Sequence, residues 1–206
     1  NVIFIPTTID NDIPFTDNSI GFDTAVSNNV LNIDNLKQTM SSNNRGFIVE
    51  VMGRNSGHIA LETAVSSNAQ GLIVPEYQNS YSEISKTIKK AISNGVKSPC
   101  VIVSENVTNI DLLAKNLEND TKKPFRTINF GHIQRGGSPS KTDRMLSFMY
   151  AKSALNIIKK NKQNEYPIVG VKNNRIVTLN FSDVEGLKFG DNFNNELYRL
   201  FKYKKN

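Results

Sequence analysis

Two carboxylates, Asp10 and Asp12, stand one residue apart in IPTTIDNDIP, directly after the apolar run VIFI. Like charges this close repel each other, and desolvating both costs free energy. Two arrangements justify such a pair. One is a polar turn, because Asp and the intervening Asn11 bond readily to nearby backbone. The other is a reactive site, either a metal site or one acid serving as a base with the other facing Mg²⁺, which favours one or two carboxylates plus substrate phosphates. The pair alone leaves both open.

Further stretches carry groups suited to an anionic substrate. MGRNSG (52–57) sets Arg54 between glycines that allow close backbone approach, at a point where a helix N-terminus would attract an anion. The plain alternative is a surface arginine in a glycine turn. FRTINFGHIQRGGSPSKTDR (125–144) holds Arg126, His132, Arg135 and the Gly136-Gly137 pair. Guanidinium groups match phosphate oxygens two-pronged, and imidazole donates to phosphate or sugar hydroxyls. A basic loop ahead of a helix is the plain alternative there. Glu105 ends a strand and suits either sugar hydroxyls or solvent. Arg45, just before a strand, says little by itself. His58, the other of the two histidines, reads as a surface or helix-cap residue.

The elements that position these groups alternate between short β-branched runs and longer amphipathic stretches. Strands are expected at 2–5, 46–52, 71–75, 100–104, 126–130, 166–171 and 175–179. Helices are expected at 22–40, 57–68, 80–94, 110–119, 140–160 and 193–202. The stretch 80–94 is the clearest: Ile84, Ile88, Ala91 and Ile92 recur at helical spacing, Ser80 or Ser82 can cap it, and Gly95 stops it. Alternation with continuous apolar strands predicts an α/β fold of doubly wound parallel sheets. Ligands then bind beyond the carboxyl ends of the strands. TTIDND, MGRNSG, SEN and GHIQRGG each follow a strand, so one sheet edge gathers them.

Composition narrows the classes. The chain has 206 residues, long enough for one or two domains, and is 38% hydrophobic. No apolar stretch approaches the ~20 residues that span a bilayer, so no membrane is expected. The single cysteine, Cys100, cannot form an intrachain disulfide and suggests a reducing, cytoplasmic setting. The net charge of +6 is spread along the chain with few interleaved aromatics, which weighs against nucleic acid. The start at Asn1, with an apolar run following at once, suggests a chain cut into an existing fold.

TIDND, FDTA, EVMGRNSG and GHIQRGGSPSKTDR resemble, in order and spacing, the bacterial-type 6-phosphofructokinases. The resemblance covers nearly the whole chain and is weakest over roughly the last 30 residues. It implies a two-lobe fold whose N-terminal part is missing from this chain. Residues 1–20 and 140–185 would belong to a nucleotide-binding lobe, and 21–139 and 186–206 to a sugar-phosphate lobe. By that resemblance, Asp10 is the base for the sugar 1-hydroxyl, and Asp12 belongs to the Mg²⁺ and phosphoryl environment. Thr8 and Ile9 line the sugar site. Met52, Gly53 and Arg54 contact substrate, with Arg54 near the transferring phosphoryl group. Glu105 binds sugar hydroxyls, and His132 and Arg135 bind the 6-phosphate. Arg45 and Arg126 reach the 6-phosphate of a neighbouring subunit, which implies a homo-oligomer, typically a tetramer.

The same resemblance names the partners as fructose 6-phosphate and ATP, in glycolysis. The family's nucleotide loop precedes TIDND, so little or no turnover is expected of the 206 residues alone. Thr7, where pyrophosphate-using relatives carry Lys, favours ATP. The family's effector turn Gly-Ala-Glu is Asn68-Ala69-Gln70 here, and its basic cluster is thinned to Lys97. Gln lacks the charge that would hold magnesium, so weak or absent activation by ADP is expected. The alternatives are a non-catalytic sugar-phosphate-binding or regulatory subunit, a pyrophosphate-dependent enzyme, or a basic nucleic-acid binder. Asp10 favours the kinase over a pure binder, which needs no base.

Overall fold

The computed structural model describes residues 2–78, 80–160, 166–188 and 192–205. Four strands, β1 (Gly46–Val51), β2 (Gly71–Ile73), β3 (Cys100–Ser104) and β4 (Phe125–Asn129), form a parallel sheet in the order β2-β3-β1-β4. The helices are α1 (Phe22–Ser42), α2 (His58–Ser66), α3 (Tyr81–Ser93), α4 (Ile110–Thr121), α5 (Lys141–Lys160), the single turn α6 (Phe181–Val184) and α7 (Asn195–Lys205). A 3₁₀ turn over Gly131–Arg135 follows β4.

Strand side chains alternate between faces, and both faces are covered. Phe47, Val49, Val51 and Ile102 join residues of α1, α2 and α7 in one core. Ile48, Val101 and Val103 face the other way, onto Ile84 and Ile88 of α3 and Leu113 and Leu117 of α4. The apolar spacing of α3 therefore fills the second core. Its cap is Ser80, whose side chain accepts from Glu83 N at 3.3 Å. Asn109 caps α4 in the same way at 2.9 Å. Gly46 is required where β1 meets β4, because a Cβ there would stand 2.4 Å from the Phe125 ring.

Two expectations change. The run VIFI forms a single parallel bridge, Phe4 to Ile168, instead of a strand. Phe4 N donates to Pro167 O and Val169 N to Phe4 O, both at 3.0 Å, and Pro6 has no N–H with which to continue. The last two strands, β5 (Pro167–Lys172) and β6 (Arg175–Asn180), pair antiparallel, outside the parallel pattern. Asn173 and Asn174 join them, both at positive φ (51° and 60°), the geometry of a tight hairpin turn. A third core lies here, with Leu146 and Tyr150 of α5 on Val169 and Val171, and Ile3 and Ile20 against them.

The N-terminus of α1 has no cap of its own at Gly21. Asp143, buried in the first turn of α5, supplies it from 122 residues away. Its Oδ1 accepts from Gly21 N at 2.9 Å, and its Oδ2 accepts from Thr24 N at 2.9 Å and from the Thr24 hydroxyl. A carboxylate at this end also meets the positive end of the helix dipole.

The packing of α2 carries a pH-sensitive element. Burial, and secondarily the Asp23 carboxylate on α1, push Glu62 up to about 7. The folded chain thus holds a proton that the unfolded chain releases at about 4.5. The stability this contributes is fully present below that pH and is lost as the pH rises through about 7. Glu62→Gln is expected to remove the dependence. In denaturant titrations the variant should match the parent near pH 4 and exceed it at pH 8 by about 1–3 kcal/mol, the upper bound being discounted for the partial exposure of this side chain.

Candidate functional site

The carboxyl ends of β1, β3 and β4 release three turns side by side: Met52–Gly57, Glu105–Asn106 and Phe130–Arg135. The loop carrying Asp10 and Asp12 closes over them. That loop and the first and third of these turns bound a cleft of about 670 Å³ lined by Thr7, Thr8, Ile9, Asp10, Asp12, Ile13, Arg54, Asn55, Ser56 and Arg135. The sequence-predicted residues Thr8, Ile9, Asp10, Asp12, Arg54 and Arg135 therefore share one space.

Asp10 is 9% exposed, and its Oδ1 is buried without a hydrogen-bond partner among the described residues. Burial raises its pKa above the ordinary carboxylate value, and the Asp12 charge adds to this. Arg54 pulls the other way, Glu105 adds again, and Arg135 pulls back. A carboxyl that resists ionisation, with two guanidiniums nearby, is arranged to accept a proton and not simply to pair with a cation. Its backbone is fixed at both faces: Asp10 N donates to Thr8 Oγ1 at 3.2 Å, and Ser56 Oγ donates to Asp10 O at 3.1 Å.

Three of the contacts that hold the Met52–Gly57 turn come from the end of β3 and the residue after it. Glu105 Oε1 accepts from Gly53 N at 3.2 Å and from Arg54 N at 2.7 Å. Glu105 is thus neither simply solvated nor placed solely for a sugar; one oxygen clamps the turn, and the other has no hydrogen bond among the described residues. Gly53 adopts φ 151°, and a Cβ there would lie 2.3 Å from Ser56 O. Ser104 Oγ donates to Ser56 O at 3.1 Å, tying β3 to the same turn.

The 3₁₀ turn is anchored by Gln134, which sequence reasoning passed over. Gln134 is 1% exposed, and its Oε1 accepts from Met52 N at 3.2 Å and from Asn29 Nδ2 at 2.9 Å. Its Nε2 donates to Gly131 O at 2.9 Å. A neutral amide between a histidine and an arginine in GHIQR was the available signal.

Other predicted residues lie elsewhere. His132 is exposed on the 3₁₀ turn and outside the residues lining the cleft. Arg45 precedes β1 at the strand end opposite Arg54. Arg126 pairs in register with Phe47 near that same edge and lines a separate groove with Asp111, Lys115 and Glu118. Within one chain, neither arginine meets the cleft. Gln70, expected in an effector pocket, has its amide engaged by backbone: Nε2 donates to Asn68 O at 2.8 Å, and Oε1 accepts from Cys100 N at 2.9 Å. Lys97 is exposed, and its carbonyl accepts from Lys123 Nζ at 2.9 Å.

His58 corrects the surface or helix-cap expectation. It is 5% exposed, edge-on to Phe22 and Phe193 at 6.5 and 5.4 Å between ring centroids. Burial pushes its pKa down to about 4, so it is neutral near pH 7.

The donor set suits Mg²⁺. Among the described residues no group of three or more His, Cys, Asp and Glu side chains forms a metal cage. A single carboxylate such as Asp12, lining the cleft beside Asp10, is nonetheless the kind of partial shell that Mg²⁺ completes with water and phosphate.

The phosphofructokinase family model matches residues 1–158. The chain is 38% identical over 200 residues to the ATP-dependent 6-phosphofructokinase of Clostridium tetani, and 39% over 203 residues to that of Caldanaerobacter subterraneus subsp. tengcongensis. These alignments take in 97% and 98% of this chain but 61% and 62% of the relatives, so the chain spans less than two thirds of their length. A phosphofructokinase structure from Saccharomyces cerevisiae matches with a TM-score of 0.79 at 28% identity, over 96% of this chain and 26% of that one. The pyrophosphate-dependent phosphofructokinase structure from Marinobacter aquaeolei gives a TM-score of 0.79 at 21% identity, over 91% of this chain and 53% of that one, and shares the fold.

Gln134→Leu tests the anchoring of the 3₁₀ turn. It leaves Met52 N and Asn29 Nδ2 without their shared acceptor, so stability should fall by roughly 1–3 kcal/mol, read as a lower denaturant midpoint.

Proposed function

The chain belongs to the phosphofructokinase family, and from that premise we propose that it carries the sugar-phosphate side of a 6-phosphofructokinase. In this reading, Asp10 takes the proton from the 1-hydroxyl of fructose 6-phosphate as that oxygen attacks the terminal phosphoryl group of ATP, whose bond to the departing ADP breaks. The observation that carries the reading is the buried, unpartnered Oδ1 of Asp10 in a cleft shared with Arg54 and Arg135. A raised pKa brings the base closer to the pH at which it must hold a proton in the transition state. Phosphoryl transfer needs positioning and charge neutralisation more than covalent help, and two guanidiniums are suited to both.

The remaining roles are those the family resemblance implies. Thr8 and Ile9 line the sugar side of the cleft, Met52 and Gly53 supply the backbone that carries Arg54, and the free oxygen of Glu105 accepts from a sugar hydroxyl. Arg135, with His132 on the same turn, faces the 6-phosphate. Asp12 would hold Mg²⁺, which when bound neutralises charge on the phosphates. Arg45 and Arg126, at the far edge, serve the cleft of a second copy, so the proposed assembly is a homo-oligomer, a tetramer by resemblance. ATP is the donor assigned, because the two curated relatives are named for it. Cytoplasmic glycolysis is the setting that reading implies; no helix among the described residues is long and apolar enough to cross a membrane.

The lobe division 1–20 with 140–185, and 21–139 with 186–206, has support in the packing. The core around Tyr150 takes in Ile3 and Ile20, whereas Phe193, Tyr198 and Phe201 join the core around β1. For Asn68, Gln70 and Lys97, the engaged Gln70 amide supports a weak effector response.

Calorimetry with fructose 6-phosphate tests the reading. The chain should bind it and not duplex DNA. Arg54→Ala and Arg135→Ala should each weaken binding by about tenfold or more, the worth of a charge-assisted hydrogen bond. Asp10→Asn should leave affinity within about threefold and, in a longer chain that also carries the nucleotide-binding segment, slow phosphoryl transfer by ~10²–10⁴. A folded chain that ignores the sugar phosphate would refute the assignment.

A further inference from the structure

The segment before α7 reaches back across the molecule to the loop that carries the two acids. Asn192 Nδ2 donates to Asn11 O at 3.0 Å and lies 3.3 Å from both Ile13 O and Thr16 O. Three carbonyls of one loop thus converge on a single side-chain amide. The loop's own bonds complete the closure. Asn11 stands at φ 52° with Oδ1 accepting from Ser19 N at 2.8 Å, and Asp17 N donates to Val171 O at 2.8 Å.

The other end of the same amide is equally specific. Asn192 Oδ1 and His58 Nε2 are both buried and both without a closed hydrogen bond among the described residues. The two are near enough that the amide favours the charged imidazole, although burial outweighs it. Each supplies what the other lacks: a neutral imidazole protonated at Nε2 is a donor, and the amide oxygen is an acceptor. The next residue, Phe193, packs edge-on against the same imidazole. His58 opens α2, directly after the turn bearing Arg54 and Ser56.

We infer that Asn192 is a positioning residue for the aspartate loop, oriented by His58, so that the segment before α7 sets where Asp10 and Asp12 stand relative to Arg54. It touches neither substrate nor the reacting atoms and acts through the loop carbonyls. The inference rests on the proposed function only for its effect on sugar-phosphate affinity.

The test compares Asn192→Ala with Asn195→Ala. Asn195 anchors the same segment, accepting from the Tyr77 hydroxyl at 2.5 Å, but has no bond to the loop. Hydrogen exchange at the Asp17 and Ser19 amides should be about tenfold faster in Asn192→Ala and unchanged in Asn195→Ala. At a temperature where both are fully folded, fructose 6-phosphate affinity should fall about tenfold in the first and stay within twofold in the second. Should Asn192→Ala not fold, His58→Leu, which suits the same apolar niche, carries the test, with exchange at those two amides about threefold faster. Unchanged exchange in a folded Asn192→Ala, or an equal change in Asn195→Ala, overturns the inference. Absence of sugar-phosphate binding by the parent chain would count against the proposed function alone, because the exchange measurement needs no ligand.

Discussion

A carboxylate oxygen cut off from both water and donors is expensive to ionise, and the fold surrounds Asp10 with the means to tolerate it. Burial is the largest influence on this group, and the neighbouring Asp12 and Glu105 make ionisation harder still. Arg54 and Arg135 offset part of that cost from across the cleft. The balance holds only while the backbone on both sides stays in place, since a small outward shift of the loop would rehydrate the acid and loosen its relation to the arginines. That explains why hydrogen bonds from Ser56, Thr8, Ser19 and Asn192 converge on one short loop.

The parallel sheet supplies the rest of the geometry by direction alone. Strands that all run one way put all their carboxyl ends on one edge, so turns distant in sequence become neighbours without any long-range bond being specified. The same rule separates groups. Arg45 and Arg54 flank β1, whose six residues at ~3.3 Å each hold them about 20 Å apart. No side chain spans that distance to a common phosphate. Two copies related by a twofold axis can bring the far edge of one to the cleft of the other, which is how symmetric assemblies complete a site.

What was legible in the sequence was local. The period of Ile84 and Ile88, the caps Ser80 and Asn109, and the continuous runs of β1 and β3 follow from neighbours within a few residues. The grouping of Asp10 with Arg54 and Arg135 around one cleft followed from motif order and from the rule that loops after parallel strands share an edge. What escaped was contact across the chain. Asp143 reads as one more charge in SPSKTDR, and nothing nearby says that it caps a helix 122 residues earlier. His58 sits in a glycine-bounded stretch that looks solvated, and Phe22 and Phe193, brought from elsewhere in the chain, pack against it. The bridge at Phe4 failed as a strand because apolar content says nothing about whether a neighbour runs alongside for more than one residue.

Arg54 shows how local strain and remote support combine at the cleft. Its backbone is left-handed, φ 57°, which costs an L-residue with a Cβ roughly 1–2 kcal/mol. Glycine would remove that cost but also the guanidinium, so the strain must be offset from outside. Glu105 does this through two backbone N–H groups, Gly53 and Arg54, bonds to a charged acceptor that are stronger than neutral ones. The acceptor comes from the end of β3, the strand paired to β1 along its full length. Register between two core strands therefore decides whether the arginine can hold its conformation. Because Glu105 also makes Asp10 harder to ionise, one side chain links the posture of the cation to the basicity of the acid facing it.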